Sequence, residues 1–236
     1  MLRAIRLALT TFALTSLAAA AGWLVFASPW LRYERLEIEG NVRAPEAHLR
    51  HLANLPEGEA LALVNLEEAV AGVRRHPWVR NATASRSFPN TVRLHVEPRT
   101  PVALVQLDGL FLVDSDGTLF ARAQEVDYDH PVLTGLDADL VRAQPEIGRR
   151  LVREGLDWLA AAQAKGGLPE SDLSELRFDA KTGYTLLLRN GGEVLLGFAE
   201  RERLGRLATL TANGLDLSAP QRIDLISARL AVVTPL

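Results

Sequence analysis

The feature that most constrains this chain is a run without a charged side chain from Leu7 to Ala27. As an α-helix rising 1.5 Å per residue, the run would be about 31 Å long, which matches a bilayer hydrocarbon core of about 30 Å. We therefore predict one transmembrane helix over residues 7–27. Residues 1–6 form a short tail before it, and the rest of the 236-residue chain follows it.

A cleaved secretory signal is the second interpretation of the same run. The small residues from Ala18 to Gly22 are typical of a signal cleavage region, and the mature chain would then begin near residue 22. The apolar run, however, continues through Trp23 to Phe26, and Trp23 and Trp30 suit the two membrane interfaces. These features favour a retained anchor over a cleaved signal.

The charges around the run give the expected orientation. Arg3, Arg6 and the amino terminus precede the run, and Arg32 and Arg35 follow it. The positive charges on the two sides are nearly equal, so the rule that positive charge stays inside gives little preference. A short tail ahead of a large domain is the usual arrangement of a protein whose tail stays in the cytoplasm. The expected location is the cytoplasmic membrane, with a single span and the main domains outside.

Composition excludes several classes of function. The chain has no cysteine, which excludes disulfides, thiol nucleophiles and thiolate metal sites. Its net charge is −3 and no basic stretch is interleaved with aromatic residues, so we expect no nucleic-acid partner. The 209 residues that follow the run are enough for two modest domains with separate cores.

The first part after the run has the pattern of a small α+β domain. Arg35–Glu39 alternates as a half-buried strand, and helices are predicted from Pro45 and after Asn65, which suits an N-cap. Val79–Arg86 and Thr91–Glu97 are predicted as two further strands. The order strand, helix, helix, strand, strand predicts a small sheet covered on one face by two helices. We place this domain at residues 33–98.

The remaining residues, 99–236, are predicted to form a β-rich domain with an extended sheet and two helices. The final segment, Arg222–Val233, alternates, slips in phase across Ile226–Arg229 and then resumes, which suggests a bulge or bend in a last strand. The other predicted elements are strands at Val102–Leu107, Glu175–Asp179, Tyr184–Arg189 and Glu193–Gly197, and helices at Pro145–Ala164 and from about Glu200 to Ala212.

The sequence shows no motif for catalysis. It has no nucleophile elbow, no phosphate-binding glycine loop and no zinc-binding pair of histidines with a third ligand. His48 and His51 are three apart on a predicted helix, but a solvated helix face explains them better than a metal site. Asp114–Gly117 resembles part of a calcium loop and lacks the remaining ligands. We expect no enzyme activity, no cofactor, no metal and no small-molecule substrate, which leaves a binding function.

A series of short motifs then gives the chain a family resemblance. The residues that carry it are Gly40-Asn41, Arg74, His76-Pro77-Trp78-Val79, Arg86, Phe88-Pro89 and Glu97-Pro98-Arg99-Thr100-Pro101-Val102-Ala103. In this order and spacing, behind a single anchor, they resemble the POTRA domain of the FtsQ/DivIB family of bacterial cell-division proteins. The resemblance covers essentially the whole chain and implies a POTRA domain followed by a β domain. It implies a divisome scaffold that links early and late division proteins at the septum.

The resemblance also implies partners and surfaces. In the family, the last strand takes up a segment of FtsB, which is paired with FtsL near the septal peptidoglycan synthase complex. Asp224 and Leu225 match the family motif, whereas Ile226 and Ser227 stand where arginine and an aromatic residue are common. The partner-binding residues it implies are Ile223, Asp224, Leu225, Ile226, Ser227, Ala228, Arg229, Leu230 and Ala231. The recruitment surface it implies consists of Asn81, Ala84 and Arg86.

Other interpretations stay open at this point. Residues 222–233 also fit an ordinary interior strand, and Trp78 fits a packing plug between helix and sheet better than a ligand platform. Arg86 and Glu97 fit a cross-strand ion pair. A POTRA-containing accessory protein of outer-membrane assembly or secretion and a secreted hydrolase are the alternative functions.

Overall fold

The computed structural model describes residues 11–17, 22, 29–40, 43–198, 201–227 and 230–236. The chain divides into two compact units, residues 1–99 and residues 100–236. Residues 11–17 are helical, but most of the predicted membrane span over residues 7–27 lies outside the described residues. Among the residues that are described, no helix is long and apolar enough to cross a membrane. The anchor therefore stays a prediction.

The described part of the first unit has the predicted order of strand, helix, helix, strand, strand. Its elements are β1 (Arg35–Glu39), α1 (Glu46–Ala53), α2 (Leu66–Val73), β2 (Val79–Ser87) and β3 (Thr91–Pro98). β3 is the central strand of a three-stranded sheet, parallel to β1 and antiparallel to β2. The sequence prediction of these five elements is confirmed, with small differences at their ends.

The core of the first unit follows from the alternation in β3. Val92, Leu94 and Val96 are at most 1% exposed, because period-2 alternation directs all three to the covered face of the sheet. The predicted cap of α2 is also confirmed: the Asn65 side chain accepts the backbone N–H of Glu68 at 3.2 Å.

Two side-chain predictions in this unit were wrong. Trp78 is half-buried and outside the core cluster, and the guanidinium of Arg43 lies 4.5 Å from the centre of its ring. Arg86 does not face Glu97, because the β2–β3 register pairs Arg86 with Val92 and Glu97 with Asn81. The sequence pattern gave each strand correctly but not the register between them.

The second unit is built on one nine-stranded sheet with the order β12-β11-β10-β9-β8-β7-β4-β5-β6. Its strands are β4 (Ala103–Gln106), β5 (Leu110–Val113), β6 (Leu119–Arg122), β7 (Val132–Thr134), β8 (Leu173–Asp179), β9 (Gly183–Leu188), β10 (Glu193–Gly197), β11 (Gln221–Asp224) and β12 (Val232–Pro235). Its helices are α3 (Ala138–Ala143), α4 (Pro145–Ala164) and α5 (Leu204–Ala212).

The long helix α4 has the predicted bounds and forms much of the second core. Its Val152 and Trp158 are buried, and Gly155 lies so close to β7 that a Cβ there would be 3.1 Å from a methyl group of Leu133. The helix predicted from Glu200 begins instead at Leu204, after a short 3₁₀ turn at Arg201–Arg203.

The carboxyl-terminal segment differs from the prediction. The expected single strand over residues 222–233 is two antiparallel strands, β11 and β12, joined by a connection over residues 225–231. The phase slip at Ile226–Arg229 therefore marks a change of strand and not a bulge or bend within one strand.

Candidate functional site at the edge of the second sheet

The predicted partner-binding residues begin in β11, which is an interior strand. β11 pairs in parallel with β10 and antiparallel with β12. Ile223 and Leu225 are fully buried, and the backbone N–H of Leu225 donates to Leu195 O at 2.9 Å. Ile223, Asp224 and Leu225 therefore do not form the open edge that the sequence analysis expected, because β12 covers that side of β11.

Among the residues that the structure describes, β12 is the open edge at this end of the sheet. The β11–β12 register pairs Arg222 with Thr234, and Leu236 N donates to Pro220 O at 3.3 Å, so the even-numbered residues direct their backbone groups toward β11. Neighbouring residues of a strand direct their backbone groups to opposite sides. The N–H and C=O groups of the odd-numbered positions, Val233 and Pro235, therefore face away from the sheet, and Ala231 continues the same pattern.

Proline limits the hydrogen-bonding capacity of this edge. Pro235 has no N–H, so Val233 supplies the one outward donor within Val232–Pro235, flanked by outward carbonyl oxygens. Proline in a sheet is confined largely to edge strands whose N–H side faces solvent, and Pro235 fits that rule. An incoming extended segment would find an edge with more acceptors than donors.

Apolar side chains surround the edge. Val232 is 56% exposed, Leu230 67% and Leu236 57%, and the earlier Ile226 is 44% exposed. An edge strand with exposed apolar side chains offers both backbone groups and contact area to a second chain. Of the predicted partner-binding residues, Ile226 and Leu230 are thus accessible, Ala231 packs partly against the core, and Ala228 and Arg229 lie outside the described residues.

Two arginines, one at the end of the 3₁₀ turn before α5 and one within α5, hold the connection between β11 and β12. Arg203 donates to the carbonyl oxygen of Ile226, and Arg206 donates to that of Ser227 at 2.5 Å. The Asp224 carboxylate also accepts the N–H of Ile226 at 2.8 Å. These bonds fix the start of the connection, because hydrogen bonds from a charged donor are stronger than neutral ones.

The side chain of Ile226 lies over Gly197, the last residue of β10. Gly197 has φ +65°, and a Cβ there would be 3.2 Å from Ile226 Cγ1. Glycine thus permits both the left-handed backbone and the close approach of Ile226. The position where arginine is common in the resembling family is occupied here by an apolar contact with the sheet.

The predicted recruitment residues do not share one face of β2. Ala84 faces the core with the buried Ala82, whereas Asn81 and Thr83 direct their side chains to the opposite face. Arg86 donates from Nε to Leu61 O at 2.8 Å and from Nη2 to Val64 O at 2.7 Å. Arg86 therefore anchors the segment between α1 and α2.

The histidines and the partial calcium loop have local partners. The His48 ring contacts that of the buried His76 edge-on, with centroids 5.1 Å apart. The pKa of His76 is lowered mainly by its burial and secondly by the nearby His48. Asp114 accepts the N–H groups of Asp116 and Thr118, as in an Asx turn. In the part of the chain that the structure describes, no three His, Asp or Glu residues are grouped to hold a metal ion.

Comparison with known proteins defines the class of each unit. Residues 31–99 match the family model of the POTRA domain of FtsQ type, and residues 103–225 match that of the carboxyl-terminal domain of the cell division proteins FtsQ/DivIB. The first unit is thus an FtsQ-type POTRA domain. The second is the β-rich domain that follows it in this family.

Relatives support the same assignment over most of the chain. Cell division protein FtsQ of Anaeromyxobacter sp. (strain K) is 35% identical over 97% of this chain and 83% of its own length. The FtsQ of Myxococcus fulvus is 34% identical over 81% of this chain and 67% of its own. This chain therefore belongs to the FtsQ/DivIB family of cell division proteins. The match to a solved structure of POTRA1-2 of the periplasmic domain of Omp85 from Anabaena is weak: it has 13% identity, covers 57% of this chain and 80% of that chain, and has a TM-score of 0.27.

Proposed function

We propose that this chain is a non-enzymatic scaffold of the bacterial divisome. Residues 7–27 anchor it in the cytoplasmic membrane, residues 1–6 lie in the cytoplasm, and both domains lie outside. It binds an FtsB-type bitopic protein, paired with an FtsL-type protein, and holds the septal synthase complex at the division site. Membership of the FtsQ/DivIB family supports the role in division, and the open β12 edge supports the mode of binding.

The proposed mechanism is addition of a partner strand beside β12. The outward groups of Ala231, Val233 and Pro235 supply backbone hydrogen bonds, and the exposed side chains of Leu230 and Val232 supply apolar contacts. The centre of the proposed interface thus moves from Ile223–Leu225 to residues 230–236. Apolar contacts take the place of the arginine and aromatic contacts that Ile226 and Ser227 do not provide.

A second proposed surface recruits the chain to the division site through the first domain. Of the three residues implied by the resemblance, Asn81 lies on the face of β2 away from the helices and is available to a partner. Ala84 and Arg86 support the fold behind it. No specific observation favours the alternative role in outer-membrane assembly or secretion.

Replacing Val233 with proline tests the strand-addition mechanism. The Val233 N–H takes no part in the β11–β12 ladder, so the change removes the outward donor and leaves the sheet's own hydrogen bonds intact. Losing this bond and leaving a partner carbonyl unsatisfied costs about 1–3 kcal/mol, which is roughly a 5- to 150-fold loss of affinity. The measurement is capture of the FtsB-type partner from detergent-solubilised membranes by the full chain.

Val233→Ala is the matched control because it shortens the side chain and keeps the backbone donor. We expect V233A to lose much less capture than V233P. Equal capture by the two variants, with unchanged circular dichroism, would show that β12 does not pair with the partner's backbone.

A further inference from the structure

Pro235 is a residue whose position the binding role alone does not explain. It sits on the open edge with its ring nitrogen facing outward, and it removes a donor from a strand that is proposed to bind another strand. A residue with an N–H at this position would give the partner one more hydrogen bond.

β12 has few of the features that natural sheet edges use against self-association. The segment Val232–Leu236 contains no charged side chain, and Val232 and Leu236 are more than half exposed. Edge strands are protected from pairing with further copies by charges, bulges, short length or proline. Apart from its short length, β12 has only Pro235 in this role.

The number of hydrogen bonds that Pro235 removes follows from the directions of the backbone groups. An antiparallel segment without proline that pairs with Ala231, Val233 and Pro235 makes two bonds at each of the first two residues and one at Pro235. That is at most five hydrogen bonds, because only the missing Pro235 donor is lost.

A second copy of β12 forms fewer hydrogen bonds with this edge, because the second copy also lacks the N–H of Pro235. With Val233 opposite Val233, each Pro235 faces the Ala231 of the other copy, and two of six bonds are lost. Shifting the register so that Ala231 faces Val233 avoids both prolines but leaves only the two Ala231–Val233 pairs, again four bonds within residues 231–235. In either register a pair of β12 strands therefore forms four hydrogen bonds, whereas β12 and a proline-free partner segment form five.

We infer that Pro235 is a specificity-determining residue, which makes the open edge favour an extended segment of a different chain over a second copy of this one. The preference for a partner strand rests on the proposed function. The opposition to self-pairing depends on β12 alone and can be measured without any partner.

The test is Pro235→Val in the full chain, studied in detergent by sedimentation over a series of concentrations. The change restores two hydrogen bonds at the water-exposed ends of the symmetric self-pair. At a net value of about 0.5–1.5 kcal/mol each, the association constant should rise roughly 5- to 150-fold. Thr234→Val is the matched control, because it adds a similar apolar side chain at a position whose N–H faces β11. We expect T234V to sediment like the wild type.

A second substitution identifies the surface involved. The double variant V233P/P235V has the restored donor at residue 235 but lacks the central donor at residue 233. It should therefore sediment like the wild type. The inference is overturned if P235V sediments like the wild type, if T234V associates as strongly as P235V, or if the double variant still associates. Partner capture by V233P, in contrast, tests only the proposed function. A failure of the self-pairing inference can therefore be distinguished from a failure of the proposed function.

Discussion

Replacing Arg86 with methionine should loosen the segment between α1 and α2 in the POTRA domain. The Arg86 guanidinium bonds Leu61 O at 2.8 Å and Val64 O at 2.7 Å, and both of those residues are completely buried. Hydrogen bonds from a charged donor contribute about 1.5–3 kcal/mol each. The Arg86 side chain is partly open to water, and in its absence water can satisfy the two carbonyl oxygens in part. We therefore expect the variant to lose about 2–4 kcal/mol of stability.

Hydrogen exchange followed by mass spectrometry is the suitable measurement, because it reports local opening of residues 61–64 within the full chain. Arg93→Met is the control: Arg93 forms exposed ion pairs with Glu37 and Glu39 at 3.4 Å each, and their loss should cost less than about 1 kcal/mol. Equal exchange in the two variants would refute the structural role of Arg86. A loss of midcell recruitment in an Arg86 variant should therefore be attributed first to the altered fold.

Two further predictions concern pH and glycine geometry. Burial lowers the pKa of His76 below its usual 6.5, so the folded state takes up a proton less readily than the unfolded one, and the stability of the first unit should fall as the pH drops through and below 6.5. Thermal unfolding at pH 7.5 and 5.5 should show this decrease, and His76→Gln should reduce it while the control His51→Gln retains it. Gly183→Ala should destabilise the second unit by more than about 1 kcal/mol, because Gly183 has φ +81° and its Cβ would lie 2.2 Å from the Gly197 carbonyl carbon. Gly205→Ala, which meets nothing within 4 Å in α5, should instead be neutral or stabilising by up to about 1 kcal/mol in urea unfolding.

The elements that the sequence predicted well are those with a strong local pattern. α4 runs from Pro145 to Ala164 and β10 from Glu193 to Gly197, both as predicted. In each case a periodic apolar face is bounded by residues that begin or end the element, so no information from distant parts of the chain is needed. The same holds for β1 in the first unit.

The elements that were missed are short and depend on distant neighbours. β7 has three residues, Val132–Thr134, and lies between β4 and β8, which are parallel to it. Three residues cannot display an alternation, and a strand paired on both sides need not show one. α3 has six residues, and Asp137, which accepts the N–H groups of Asp139 and Leu140, was the N-cap signal that could have revealed it.

The difference between the edge expected at Ile223–Leu225 and the observed edge strand β12 has another cause. The apolar alternation of Ile223 and Leu225 reports burial of side chains, and a strand covered on both sides shows it as clearly as an edge strand. Whether a strand is an edge depends on backbone pairing, which the side-chain pattern does not record. The residue that did record it is Pro235, because proline has no donor for a ladder and is tolerated in sheets mainly at edges. The same missing donor that marks β12 as the edge thus also limits what can pair with it, and both properties follow from the outward direction of the Pro235 nitrogen.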